Sequence, residues 1–101
     1  MKHLTYAEKS LITGDEIADA LVEYAAMLSQ QGSAEAVEVS AYGSDSSNVT
    51  ATLLLGAGAP IMAESATSDL PEPDNSELLA RIRRELGLHE NPPEAQQLDE
   101  D

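Results

Sequence analysis

Two sets of charged side chains lie close enough in this sequence to do chemistry together. Asp15, Asp19 and Glu23 recur every four residues, so on a helix they line up as one acidic stripe. Arg81, Arg83 and Arg84, three of the chain's five basic residues, gather in "DNSELLARIRRELG", residues 74–87. A carboxylate stripe could hold a divalent cation, supply a paired acid and base, or grip a basic partner. An arginine cluster could bind phosphate, dock a protein or neutralise an acidic surface.

Each possibility needs more than charge. Acid–base work needs a buried carboxylate, whereas these acids fall on expected polar faces. Like charges four residues apart repel by about 0.2–0.5 kcal/mol each, so the stripe is a solvated face unless something basic relieves it. The arginine helix carries Glu77 and Glu85 as well, four residues either side of Arg81, which compensates much of its charge. Pulling a chain of net charge −14 onto DNA, RNA or anionic lipid would add repulsion where those ligands need counterion release. Direct nucleic-acid and membrane binding are therefore not expected.

Other motifs fail on inspection. The histidines are His3, near the amino terminus, and His89, in an acidic, proline-broken tail, so no triad of nucleophile, base and orienting group is apparent. "GAGAP", residues 56–60, follows an apolar run, but a dinucleotide fingerprint needs glycine where Ile61 stands, and the Walker lysine is missing. Asp45–Asn48 lacks the alternating ligands and distal Glu of a calcium loop. With no cysteine there is neither a thiolate metal site nor a disulfide. "NVT" at Asn48–Thr50 matches a glycosylation sequon, but with no secretion signal expected it carries no weight. The sequence implies no catalytic residue, no metal and no cofactor.

The elements that position these residues are legible from periodicity. Thr13 and Glu16 have capping-box spacing, with Ile12 and Ile17 set as a hydrophobic staple. Ile17, Leu21, Tyr24 and Leu28 then recur on one face, and Gly32 is a natural stop, predicting a helix over about 14–31. "AVEVSAY" and "NVTATLLL" alternate at strand period around the turn "GSDSS" and predict an antiparallel hairpin. "IMAES" reads as a further short strand, at an edge or at the exit from the sheet. Leu4, Tyr6 and Leu11 suggest an interrupted strand or a small hairpin turning at "AEK". If the strands flanking the long helix pair in parallel, their crossover should be right-handed.

Residues 66–76 read as a proline-containing acidic connector and 77–87 as an amphipathic helix. In that helix Asp74 and Glu77 stand as caps, and Leu78, Leu79, Ile82 and Leu86 share an arc that Gly87 closes. Arg83 borders the arc, while Arg81 and Arg84 face away. Residues 88–101 read as a disordered acidic tail. The expected fold class is α+β: a small mixed or antiparallel sheet (β-α-β-β with a possible fifth strand) under one long helix, with a second short C-terminal helix over residues 1–65 or over a partner. With three Tyr and no Phe or Trp the core is lean, so a second copy or a partner could add to its stability.

"LTYAEKSLITGDEIADALVEYAAML", "LLLGAGAPIMAES" and "LPEPDN" together resemble small acidic actinobacterial proteins of unknown role, over about Leu4 to Asn75. The resemblance implies a bacterial cytoplasmic α/β protein and brings no catalytic or binding residues with it.

The functional expectation is a non-enzymatic protein–protein interaction module. Its partner would be another protein, basic by charge, with a homodimer as a further option. Asp15, Asp19, Glu23, Arg81, Arg83 and Arg84 are the candidate partner-binding residues. The alternatives are a nucleic-acid mimic that inhibits a DNA- or RNA-binding protein, and a small enzyme or enzyme subunit.

Overall fold

The computed structural model describes residues 1–90, with only the backbone described for 88–90. The chain runs β1 (Lys2–Tyr6), β2 (Lys9–Thr13), α1 (Asp15–Gln30), β3 (Ala34–Tyr42), β4 (Asn48–Gly56), β5 (Ile61–Ser65) and α2 (Ser76–Glu90). The five strands form one antiparallel sheet in the order β4-β3-β2-β1-β5, so the fold is α+β. Leu4, Tyr6 and Leu11 belong to a hairpin rather than one broken strand, with Leu4 opposite Leu11 and a two-residue turn at Ala7 and Glu8. The strands flanking α1 pair antiparallel, so no parallel crossover forms.

The long helix lies where its period places it, but its cap differs. Gly14, not Thr13, is the N-cap, and no side chain caps it. Thr13 ends β2 fully buried, and its hydroxyl donates 2.9 Å to the Ser40 carbonyl on β3. Tertiary bonding has taken the hydroxyl that local spacing assigned to the helix, and the staple positions shift with the cap. Gly14 also makes room for the connector: a Cβ there would lie 2.6 Å from Glu72 Oε2. That carboxylate stands at a helix start, where the dipole favours negative charge. The other end closes as a Schellman motif. The Ser33 N–H donates to the Leu28 carbonyl at 2.8 Å and the Gly32 N–H to Ser29 at 3.1 Å, with Gly32 at φ 69°.

The sheet is strongly coiled. Its edge strands β4 and β5 are joined by residues 57–60 alone, and that link folds back through an Ala59 N–H to Gly56 carbonyl bond of 3.1 Å. A flat five-stranded sheet would hold its edges about 19 Å apart, which a folded link of this length cannot span. The Tyr6 hydroxyl of β1 accordingly reaches the Leu54 carbonyl of β4, at 2.7 Å. Between the hairpins, β2 and β3 share a single pair, Ile12 with Tyr42.

Ile17, Leu21, Tyr24 and Leu28 of α1 fill the concave side with Leu4, Val37, Val39, Leu53 and Leu55. α2 packs beside α1, with Ile82 fully buried in the same core and Leu78, Leu79 and Leu86 against it. Gly87 does not end this helix, which continues to Glu90. Residues 91–101, most of the expected tail, lie outside the described residues.

Candidate functional site

The acidic stripe is largely claimed by the chain itself. Lys2 Nζ sits 2.7 and 2.9 Å from the two Asp19 oxygens, and the Met1 amine lies 2.8 Å from Asp15. Asp15 is held below the usual aspartate range chiefly by the hydrogen bond from that amine. Glu23 is exposed and makes no ion pair among the described residues. Met1 and Lys2 thus supply the basic groups that relieve the repulsion along the first turns of α1.

The arginines divide in a similar way. Arg83 reaches across to Glu16 of α1 at 2.6 Å, and both side chains stay largely exposed. Arg81 does not face away and does not pair along its own helix. It lies 2.8 Å from Glu35 of β3, whose other oxygen accepts the Tyr24 hydroxyl at 2.5 Å. This Tyr24–Glu35–Arg81 set joins α1, β3 and α2. Burial raises the Tyr24 phenol, and Glu35 raises it further. Burial works most strongly against the charge on Arg81, but Glu35 and Tyr24 together outweigh it and the net shift is upward. Arg84 is exposed and makes no ion pair among the described residues. The six candidate residues therefore share no cleft, and four of them fasten the fold.

The start of α2 is also built differently from its sequence reading. Asp74 accepts from the Ser76 N–H at 3.0 Å and the Ser76 hydroxyl at 2.7 Å, a local turn that holds its carboxyl low. Asn75 turns to β3 instead. Its Oδ1 accepts the Ser40 N–H at 2.8 Å while its Nδ2 donates to the Ser40 carbonyl at 2.8 Å and to Thr13 Oγ1 at 3.3 Å. Ser40 lies just beyond the last residue of β3 that β2 can pair, so the amide replaces a missing strand. Nearby, the Tyr42 hydroxyl donates 2.6 Å to the Pro71 carbonyl and pins the connector.

A groove that no local motif of the sequence marks opens elsewhere on the sheet. Where the hairpins splay apart, an open space of about 1250 Å³ lies between the β1–β2 hairpin and β4. Its walls are apolar and partly exposed: Tyr6, Leu11, Val49 and Ala51, over Leu4 and Leu53. Its rim carries Glu8, Lys9 and Asp45. Asp45 is kept below its ordinary range by the hydroxyl and N–H of Ser47, at 2.6 and 3.1 Å. The sequence signal that could have found this groove is "NVTATLLLG". It is a nine-residue strand without one ionisable side chain, in a chain with 24% charged residues.

Chemically the groove offers apolar surface, the hydroxyls of Ser10, Ser44 and Ser47, and the charges of Glu8, Lys9 and Asp45. His3 stands on β1 opposite Ile12 and Glu64, outside it. Among the described residues no group of three or more metal-ligating side chains converges, and no helix is long and apolar enough to cross a membrane. Comparison with family models, with curated proteins and with solved structures returns no match for this chain.

Proposed function

We propose that this protein is a non-enzymatic protein–protein interaction module, acting in the bacterial cytoplasm on a basic partner. The observation that carries the reading is the groove between the hairpins, where an apolar wall is left partly exposed beneath a rim on which Glu8 and Asp45 outnumber Lys9. Apolar surface provides the burial on which association depends, and the net charge of −14 steers cationic partners toward it. Asp15 and Asp19 contribute to the general field, but their ion pairs make them poor direct contacts. The same ion pairs weigh against nucleic-acid mimicry, which needs a regular array of free carboxylates.

Affinity capture with the full chain, at low and high salt and read by mass spectrometry, tests this. A reproducible basic partner that salt releases is expected. Failure to retain any protein at either salt concentration would count decisively against the reading.

A further inference from the structure

We infer that β4 is the docking edge of this module, and that it takes an extended segment of the basic partner as an added strand. The inference rests on the interaction reading above and names its site and ligand class: a peptide with alternating apolar and basic side chains.

Three observations lead there. The first is the direction of the β4 main chain. Asn75 binds both main-chain groups of Ser40, so these point away from β4, and the Ser40–Thr50 pair is a non-hydrogen-bonded one. Alternation then turns the N–H and C=O of Thr50, Thr52 and Leu54 outward, away from β3. The Leu54 carbonyl, bound by the Tyr6 hydroxyl, points the same way and confirms the phase independently. β4 is an edge of the sheet, so the outward groups of Thr50 and Thr52 face no strand among the described residues.

The second observation is the absence of edge protection. Natural edge strands are short, charged, bulged or interrupted by proline. The opposite edge, β5, has five residues and includes Glu64. β4 has nine and carries no charge and no proline. It is open to strand addition, in which main-chain bonds give affinity and alternate side chains give specificity.

The third is the groove beside that edge. An added strand would turn every second side chain toward Leu11, Val49 and Ala51, which asks for apolar residues there. The other side chains would lie on the face that carries Thr50, Thr52 and the exposed Glu38, opposite Thr52. With Glu38 on that face and −14 overall, that set is best filled by Lys or Arg. A second copy of this chain would bring the same negative charge to the contact. The tip of the β1–β2 hairpin at Ala7 and Glu8 also lines the groove and leaves it better suited to a single strand than to another sheet.

The test uses the full chain and an acetylated, amidated octapeptide of alternating Lys and Val. Expected are saturable binding that weakens with salt and at least tenfold slower hydrogen exchange at the Thr50 and Thr52 amides. The same peptide N-methylated at every second residue, on the edge that would face β4, should lose that protection. So should Thr52→Pro, read at the Thr50 amide, because it removes an outward N–H and leaves the β3–β4 ladder its bonds. The N-methylated peptide keeps the test valid if that variant folds poorly. An alternating Glu and Val peptide should not bind. Binding without protection at Thr50 and Thr52 would overturn strand addition and leave the interaction reading standing. Protection that rises with protein concentration in the absence of peptide would assign the edge to a second copy and overturn the inference. No binding by the Lys and Val peptide would also overturn it, whereas the broader reading fails only if affinity capture fails.

Discussion

The carboxamide of Asn75 grips both main-chain groups of Ser40, each at 2.8 Å, and so does the work of a strand that β2 is too short to provide. Ser40 is only partly exposed, and water would replace that pair of bonds poorly. Asn75→Ala should destabilise the fold by about 1–3 kcal/mol. Asn75→Asp should recover little, because it keeps the acceptor for the N–H but turns an oxygen toward the Ser40 carbonyl. Urea midpoints measure the cost. Faster exchange of the Ser40 amide in Asn75→Ala would identify its source, and an unchanged rate would deny the clamp its role.

Ile82 and Arg84 sit on the same helix and should behave in opposite ways. Ile82 is wholly buried in the core formed by α1 and the sheet, so Ile82→Ala should cost about 2–4 kcal/mol. Arg84 is exposed, and Arg84→Ala should fall within about 0.5 kcal/mol of the parent. Equal stabilities in chemical denaturation would mean that α2 is not part of the cooperative unit.

Two glycines separate close approach from backbone conformation. Gly56 has φ 95°, and a Cβ there would meet the Ser33 carbonyl oxygen at 2.4 Å and Leu28 Cβ at 2.8 Å. Gly58 has φ 75° and open space around it. Gly58→Ala should cost about 1 kcal/mol, the left-handed conformation alone. Gly56→Ala must also move backbone, and about 2–4 kcal/mol is expected. Thermal melts of the two variants should differ by several degrees, and coincident melts would contradict the steric argument.

These contacts are long-range, and local sequence patterns do not encode them. The helix around Leu21 and the β3–β4 hairpin were legible because their signals are local: Ile17, Leu21, Tyr24 and Leu28 repeat on one face, and Val37 to Ala41 alternate. Thr13 departs from its capping-box spacing because a hydroxyl before a helix can cap it or bond a neighbouring strand. The choice was made by Ser40, 27 residues away. Arg81 matched two helical partners by spacing, yet it pairs with Glu35, which only the packing of α2 beside α1 brings within reach. The groove depends on a seam of one residue pair between β2 and β3, and no local pattern encodes such a seam.

The Tyr24–Glu35–Arg81 set gives the fold an alkaline limit whose sign can be worked out. Burial first, and Glu35 second, raise the Tyr24 phenol above its ordinary 10.0, while Arg81 pulls it partly back. A phenol whose folded value is raised favours folding while it is neutral. Its contribution is therefore complete below the unfolded value near 10 and is lost as pH rises through the folded value. Phenolate absorbance should show a late-ionising tyrosine that Tyr24→Phe removes, and the same substitution should flatten the loss of stability above about pH 10. Glu35→Gln removes a neighbouring negative charge and should lower the Tyr24 midpoint. Arg81→Met removes the compensating cation and should raise it. An unchanged midpoint in both variants would show that burial alone governs this tyrosine and that the three side chains do not act as one set.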